Sequence, residues 1–204
     1  MRGIIIGYDV DNTMADTDLV VAQILKKEHG IHTPRSSLDT YKLERDGKIS
    51  HERMVEIYEQ AWSDHKKIPL VDKSIPKIIR KLNYEFGFAS NVITCTAAKE
   101  DVLENWLDLN MIPRSRTIHL TNALEKGLFG GIDVHVDDHP DVAVAASRMG
   151  KTTILLEGPC SRDFIASNKD PSIIVASNWK EIEEILTSDR IVGLRPKPQV
   201  KIKL

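Results

Sequence analysis

The chain has 204 residues, of which 41% are hydrophobic and 28% are charged. This composition is that of a folded globular protein and excludes bulk disorder, and the length suits one large domain or one domain with a smaller insert. The formal net charge of -2 shows none of the basic excess expected of a duplex-binding surface, so nucleic acid is not expected as a partner.

The sequence also shows no pattern of membrane insertion. The apolar run at residues 4–6 is too short for the core of a signal peptide, and no stretch approaches the roughly eighteen apolar residues of a membrane span. Cys95 and Cys160 form neither a CxxC pair nor a disulfide framework. We therefore expect a cytoplasmic protein, and a homo-oligomer remains possible.

The first third of the chain predicts one strand followed by helices. Residues 4–8 are a short apolar run that predicts a buried strand. Residues 19–27 have helical periodicity, and Gly30 is placed to end that helix. Residues 35–48 are polar and predict a loop, and Ser50 then fits the N-cap of another helix. The apolar face of this helix holds Met54, Val55, Tyr58, Ala61 and Trp62.

From residue 75 onward, the pattern alternates between helices and strands. The predicted strands cover residues 86–94, 117–120, 132–136, 152–156 and 172–175. The predicted helices cover residues 75–82, 99–109, 142–149 and 178–186. Such alternation predicts an α/β fold with a doubly wound parallel sheet.

The segment between the first strand and this alternating part contains no predicted strand. We therefore predict a core of residues 1–13 and 70–188, with residues 14–69 as a small helical cap inserted after the first strand. Residues 189–204 form a predicted C-terminal tail. The basic residues of this tail could contact a polyanion, as in a phosphatase that processes nucleic acid, but a solvated tail or an edge strand is the favoured interpretation. They are Arg190, Arg195, Lys197, Lys201 and Lys203.

In parallel sheets, ligands bind at the carboxyl ends of the strands. Asp9, Asp11 and Thr13 follow the first strand at spacings of two, which places them on the same side of an extended chain. The two carboxylates repel each other unless a cation or a proton intervenes. The competing interpretation is a helix cap or an Asx-turn.

Three further candidates have weaker signals when each is taken alone. Thr94 and Thr96 follow the second predicted strand, where a hydroxyl can hold a phosphate oxygen or cap a helix. Cys95, between them, is interpreted as a buried strand-end residue. Lys126 lies in a predicted loop and would ordinarily be solvated.

A second acidic cluster follows the strand that ends at residue 136. It consists of Asp137, Asp138 and Asp141, of which Asp138 or Asp141 could cap the next helix. Burial of an unpaired carboxylate is costly, and a cation shared with Asp9 and Asp11 would relieve both clusters. Since every candidate ligand is an oxygen, the ion expected is Mg²⁺.

The order DVDNT, Thr96, Lys126 and VDDHPD resembles the four-motif signature of the haloacid dehalogenase-like (HAD) hydrolases over about residues 1–16 and 70–186. The resemblance implies a Rossmann-like core and phosphoryl transfer through an aspartyl-phosphate. It implies that Asp9 is the nucleophile and a metal ligand. It also implies that Asp11 is the general acid and base, and that the backbone carbonyl of Asp11 binds the metal.

The remaining roles implied by the resemblance concern phosphate and metal. Thr96 and Lys126 would hold the phosphate, with Thr94 as the alternative to Thr96. Asp137 would complete the metal site, and Asp138 would be a further ligand or would support the ligands.

A narrower resemblance links the chain to the 5'(3')-deoxyribonucleotidases. DVDNTMAD is similar to that family's DMDGVLAD, and TCTA is similar to its ICTSP. The departures are Asn12 and Thr13 in place of Gly-Val, and Ala97 and Ala98 in place of Ser-Pro. If the substrate is a nucleotide, Tyr41 is the candidate for stacking on its base. Tyr58 and Trp62 are more simply explained as part of the hydrophobic core of the cap.

Three other functions compete with a nucleotidase. One is a phosphatase that acts on another small phosphometabolite. A second is a catalytically idle binding protein on the same fold, although such a protein would be expected to have lost Asp9 or Asp11. A phospho-acceptor receiver domain is disfavoured because its acceptor aspartate follows its acidic pair, whereas the second acidic pair here comes after the threonine and the lysine.

Overall fold

A computed structural model describes residues 3–168 and 170–193 of the chain. Within these residues, six parallel strands form one sheet in the order β3-β2-β1-β4-β5-β6. The strands are β1 (Ile5–Tyr8), β2 (Ala89–Thr94), β3 (Arg116–His119), β4 (Val134–Asp137), β5 (Thr152–Leu156) and β6 (Ile173–Ala176). The predicted doubly wound α/β fold is therefore confirmed.

The strand order places β1 at the centre of the sheet. Its residues pair with β2 on one side, as in Tyr8 with Val92, and with β4 on the other, as in Tyr8 with Val136. The N–H of Asp9 still donates to the carbonyl of Val136 across 2.9 Å. Because all strands are parallel, the residues that follow β1, β2 and β4 meet at one edge of the sheet.

Ten helices connect and cover these strands within the described residues. Those before β2 are α1 (Thr17–His29), α2 (Thr40–Arg45), α3 (His51–Ser63) and α4 (Ile75–Phe86). The others are α5 (Glu100–Leu109), α6 (Ala123–Leu128), α7 (Pro140–Arg148), α8 (Arg162–Ser167), α9 (Trp179–Thr187) and α10 (Asp189–Val192). No helix of the described residues is long and apolar enough to cross a membrane.

Several predicted helix ends are confirmed by their caps. Gly30 adopts a left-handed conformation, with φ of 66°, directly after α1. The side chain of Ser50 accepts a hydrogen bond from the N–H of Arg53 at the start of α3, across 3.2 Å. The predicted second strand began too early, since α4 continues to Phe86 and Gly87 ends it.

The prediction of a loop over residues 35–48 is wrong. This segment contains a 3₁₀ turn, Arg35–Ser37, and the helix α2. The side chain of Asp39 caps α2 by accepting from the N–H of Lys42 across 2.9 Å, and Leu43 is buried. A helix this short depends on tertiary packing, which hydrophobic periodicity does not report.

The helices α1 to α3 have a hydrophobic cluster of their own, separate from the larger cluster on the sheet. Its buried members are Val21, Leu25, Leu38, Leu43, Ile49, Met54, Ile57 and Ala61. The two connections to the sheet lie side by side. Ala15 forms an antiparallel bridge with Leu70, and the N–H of Asp16 donates to the carbonyl of Pro69 across 2.8 Å.

At the other end of the chain, the predicted tail begins with the short helix α10. Ile191 of this helix is fully buried, and Arg190 donates to the carbonyl of Pro171 across 2.7 Å. The other basic residues of the predicted tail lie outside the described residues. They are Arg195, Lys197, Lys201 and Lys203.

Candidate active site at the carboxyl edge of the sheet

Lys126 bridges two aspartates that belong to neighbouring strands. Its Nζ lies 2.9 Å from Oδ1 of Asp9, which follows β1, and 3.0 Å from Oδ2 of Asp137, which ends β4. All three side chains are buried. Burial alone would lower the pKa of Lys126, but the carboxylates of Asp137 and Asp9 raise it well above its usual range. The lysine is therefore a fixed positive charge between the two acidic motifs.

The position of Lys126 depends on tight packing of α6, which sequence analysis interpreted as a loop. Asn122 caps this helix by accepting from the N–H of Leu124 across 2.9 Å. At Gly127, a Cβ atom would lie 2.7 Å from the carbonyl oxygen of Val142 in α7, which is closer than such atoms approach in proteins. Glycine is thus required for this approach of α6 to α7.

A buried lysine anchors the end of α6. The Nζ of Lys151, next to β5, donates to the carbonyls of Gly127 and Phe129, each across 2.6 Å. These carbonyls lie at the C-terminal end of the helix, where unpaired acceptors and the helix dipole favour a cation. Lys151 was not predicted as a functional residue. It affects Lys126 indirectly, because it fixes the end of the helix that carries Lys126.

Asp137 is surrounded by donors. Its Oδ2 contacts Nε2 of His135 at 3.1 Å as well as Lys126, and its Oδ1 accepts from the N–H of His139 across 2.9 Å. Burial would raise the pKa of Asp137, but Lys126 and the His135 hydrogen bond outweigh it and lower the pKa below its ordinary value. Asp137 is therefore ionised in the folded protein.

Asp138 completes a group of three carboxylates. Asp9, Asp137 and Asp138 each place one carboxylate oxygen within 4.8 Å of the others. Burial raises the pKa of Asp138 well above its ordinary value, and the charges of Asp137 and Asp9 add to this effect. In the same way, burial raises the pKa of Asp9 to about 7, although Lys126 opposes the shift.

Burial is the main cause of the raised pKa values of Asp9 and Asp138, and the three clustered carboxylates, with Lys126 in contact with two of them, add a surplus of negative charge. The electrostatic imbalance would be relieved by a divalent cation, and the donor set of oxygens alone fits Mg²⁺. Asp141, the third acid of the second cluster, is not a member of this three-carboxylate group.

The side chain of Asp11 bonds to residues outside the three-carboxylate group. Its Oδ1 accepts from the hydroxyl of Thr17 across 2.6 Å and from the indole N–H of Trp62 across 3.0 Å. It is not part of the three-carboxylate group. Asn12, the next residue, has a left-handed backbone with φ of 56°, which turns the chain away from β1. Trp62 was predicted in the hydrophobic core of the cap. It is buried, but it belongs to the cluster on the sheet, and its contact with Asp11 was not predicted.

Both candidate threonines border the same cavity as Asp9. The hydroxyl of Thr94 accepts from the N–H of Thr96 across 3.2 Å, and the hydroxyl of Thr96 accepts from the N–H of Ala98 across 3.3 Å. Thr96 is also fixed through its carbonyl, which accepts from Nε2 of His119 across 2.8 Å. Each hydroxyl keeps a proton to donate, so the structure leaves the choice between Thr94 and Thr96 open.

The cavity has a volume of about 740 Å³ and lies between the sheet edge and the helices α1 to α3. Tyr41 of α2 borders it and is half exposed, and its ring packs edge to face on His139 with centroids 4.6 Å apart. Tyr58 also borders the cavity, and its hydroxyl donates to Oδ1 of Asp18 across 2.8 Å. Trp62 packs on Trp106 in the core instead.

Comparison with known proteins shows a likeness in fold to solved structures. No family profile and no curated protein matches the chain in sequence. Among solved structures, a protein named as a phosphatase from Clostridium difficile is 18% identical, with a TM-score of 0.60 over 91% of this chain and 100% of that one. The HAD hydrolase YfnB of Bacillus subtilis, in a magnesium-bound form, is 13% identical, with a TM-score of 0.56 over 92% of this chain and 100% of that one.

A third neighbour is the protein tyrosine kinase PtkA of Mycobacterium tuberculosis. It is 15% identical, with a TM-score of 0.65 over 91% of this chain and 99% of that one. At these identities the likeness concerns the fold alone, which this chain shares with a phosphatase, a HAD hydrolase and a protein tyrosine kinase. The narrower likeness to deoxyribonucleotidases rests on the sequence motifs alone.

Proposed function

We propose that this protein is a magnesium-dependent phosphatase that hydrolyses a small phosphomonoester through an aspartyl-phosphate on Asp9. The observation that carries the proposal is the position of Lys126, within 3.0 Å of both Asp9 and Asp137 at the carboxyl edge of the sheet. A carboxylate nucleophile beside a fixed cation suits attack on a charged phosphoryl group. The HAD fold and the order of the four motifs support the same chemistry.

The reaction has two displacements. The carboxylate of Asp9 attacks phosphorus, and the alcohol leaves with a proton donated by Asp11. Water then attacks the acyl phosphate, Asp11 takes a proton from that water, and inorganic phosphate leaves with Asp9 restored. The bonds from Thr17 and Trp62 to one oxygen of Asp11 fix its carboxyl group, so its other oxygen is the proposed proton carrier.

The phosphate and metal sites use the remaining residues. Lys126 and Thr96, with Thr94 as the alternative, would hold the phosphoryl oxygens. Mg²⁺ would be held by the carboxylates of Asp9 and Asp137, by Asp138 directly or through water, and by the backbone carbonyl of Asp11. When bound, it supplies positive charge that offsets the charge on the phosphoryl oxygens.

The proposed substrate class is a nucleoside monophosphate, and residues 14–69 are the proposed cap. A segment that covers the strand ends can exclude bulk water and contact the leaving group. The edge-to-face contact of Tyr41 with His139 supports this role, because it joins α2 to the loop that carries Asp138. A different small phosphometabolite is the alternative substrate.

The test is hydrolysis of a panel of phosphomonoesters with Mg²⁺, including deoxynucleotides and p-nitrophenyl phosphate. Asp9→Asn keeps the shape but removes the attacking charge, so we expect a loss of at least about a thousandfold in kcat with the fold retained. Asp141→Asn is the control and should keep its activity. Wild-type turnover by Asp9→Asn would refute the mechanism. Phosphate binding without turnover of any ester would favour the idle binding protein.

The metal is tested separately. Activity should vanish in excess chelator and return with Mg²⁺, and Ca²⁺ should support it poorly because it prefers more ligands and looser geometry. Asp137→Ala should weaken direct Mg²⁺ binding, measured by calorimetry, far more than Asp141→Ala. The reverse order would mean that the acidic cluster is assigned wrongly.

A further inference from the structure

The charges around the cavity are strongly one-sided. Among the described residues that border it, the acids are Asp9, Asp11, Asp18, Glu44 and Asp138. Among those same residues, Lys126 is the one lysine or arginine, and both Asp9 and Asp137 already contact its Nζ. A transferring phosphoryl group with its metal can be accommodated next to Lys126. Apart from Lys126, a second anionic group on the substrate would meet no lysine or arginine among the described lining residues, whose other basic side chains are His51, His119 and His139.

The part of the cavity formed by the helical insert is mostly apolar. Leu38, Met54 and Val55 border it, together with the tyrosines of α2 and α3. The hydroxyl of Tyr58 is already bonded to Asp18. The volume of about 740 Å³ lies within the range of sites for ligands well above phosphate in size. The leaving group therefore has room for an apolar or aromatic body.

Glu44 is the acidic group on this apolar side that lies away from the nucleophile. It belongs to α2, its side chain is 22% exposed, and its Oε2 lies 3.0 Å from Nδ1 of His51 at the start of α3. The ring nitrogen donates to this oxygen, which orients the carboxylate. A carboxylate accepts hydrogen bonds only, so the group that pairs with it must be a donor.

We propose that the substrate is a phosphomonoester whose leaving group carries no second anion and presents an amine or another hydrogen-bond donor to Glu44. This inference rests on the proposed phosphatase function and specifies its substrate class. It excludes bisphosphates and phosphorylated carboxylic acids as good substrates, because their second anion would lie among carboxylates in a partly desolvated cavity. Amino-bearing nucleobases and amino alcohols belong to the accepted class.

The experiment compares esters that are matched in size and differ in charge. O-phosphoethanolamine presents an ammonium group, whereas 2-phosphoglycolate presents a carboxylate, and p-nitrophenyl phosphate serves as a generic substrate. We expect kcat/KM to be at least about tenfold higher for the ammonium ester than for the carboxylate ester. A nucleoside 5'-monophosphate and its 3',5'-bisphosphate provide a second matched pair with the same expected direction.

Variants then assign the discrimination to Glu44. Glu44→Gln should bring the ratio for the first pair close to one, mainly through KM, with a smaller change for p-nitrophenyl phosphate, which carries no ammonium group. Glu59→Gln, at an exposed position of α3, is the matched control and should leave the ratio unchanged. Thermal unfolding of both variants should match that of the unmodified protein.

The outcomes separate this inference from the proposed function. If none of the esters is hydrolysed, including p-nitrophenyl phosphate, the phosphatase function itself fails. If the generic ester is hydrolysed but the carboxylate ester is used as well as the ammonium ester, the substrate class is wrong. If Glu44→Gln slows all substrates equally, Glu44 supports the fold and does not select the leaving group.

Discussion

The indole N–H of Trp62 donates to Oδ1 of Asp11 across 3.0 Å, which joins the third helix of the insert to the proposed general acid and base. Trp62 also packs edge to face on Trp106, with ring centroids 5.8 Å apart. The indole N–H of Trp106 instead donates to the carbonyl of Ile68, across 2.9 Å. The two tryptophans therefore have the same burial and each indole N–H donates to an oxygen, but Trp62 bonds to the carboxyl group of Asp11 and Trp106 to a backbone carbonyl.

This difference allows a test of whether Trp62 supports proton transfer by Asp11, with Trp106 as the matched control. Trp62→Phe removes a hydrogen bond to the carboxyl group of Asp11, and we expect kcat to fall by about tenfold with a smaller change in KM. Trp106→Phe should destabilise the fold to a similar degree but leave kcat nearly unchanged when the protein is fully folded. Equal losses of kcat in both variants would mean that Trp62 acts through stability alone.

A second prediction concerns the pH dependence of stability. Burial raises the pKa of Asp18 to about 6, although its hydrogen bond from Tyr58 opposes the shift. The folded protein therefore keeps this proton up to about pH 6, whereas the unfolded chain releases it near pH 4. Since the folded state binds more protons in this window, Asp18 makes stability fall as the pH rises from about 4 to about 6.

Asp18→Asn removes this titration and can still accept from Tyr58. We expect the variant to be more stable than the unmodified protein at pH 7.5, by on the order of 1–2 kcal/mol, and nearly equal to it at pH 4.5. Denaturant unfolding in excess chelator at the two pH values measures the difference. A variant that is less stable at pH 7.5 would show that the ionised carboxylate is favourable at this position.

A third prediction concerns the anchor of α6. Lys151→Met leaves the carbonyls of Gly127 and Phe129 without their buried donor, which should cost about 2 kcal/mol in the free energy of unfolding. Because α6 carries Lys126, we also expect kcat/KM to fall by about tenfold at temperatures where the variant is fully folded.

Two further variants distinguish positioning from stability. Lys77→Met, at an exposed position of α4, is the control and should change neither quantity. Lys151→Arg should restore part of the activity, because it keeps a charged donor near the two carbonyls. Full activity of folded Lys151→Met would show that Lys126 holds its place without this anchor.

A fourth prediction concerns the stacking of Tyr41 on the nucleobase of a substrate. Tyr41→Ala should raise KM for a nucleoside monophosphate by about tenfold, as expected when one stacking contact is lost, and leave hydrolysis of p-nitrophenyl phosphate nearly unchanged. Tyr84→Ala, at a tyrosine that is 85% exposed, is the control. Equal effects of Tyr41→Ala on both substrates would indicate a role in the fold through the contact with His139.

The sheet was predictable from sequence because its signals are local. Each buried strand is a short apolar run, and the alternation with helices implies parallel order. Asp9 and Asp137 could be found because each stands directly after such a run. The structure then brings their side chains to the same lysine.

The missed features depend on contacts between distant parts of the chain. The helix of Lys126 is too short for a periodic signal and is held by Gly127 against α7 and by Lys151. The bond between Trp62 and Asp11 joins residues 51 positions apart, and periodicity identified Trp62 as a core residue only. Local patterns therefore located the acidic motifs, but not the side chains that orient them.

The two connections of the helical insert have a consequence for how this chain could diversify. The segment leaves the sheet at Ala15 and returns at Leu70 through one antiparallel bridge, and the bonds between paired strands involve no residue within it. An exchange of the segment would therefore leave the register of the nucleophile strand intact. The segment still bonds to Asp11 through Thr17 and Trp62, so an exchanged segment would have to keep these two donors.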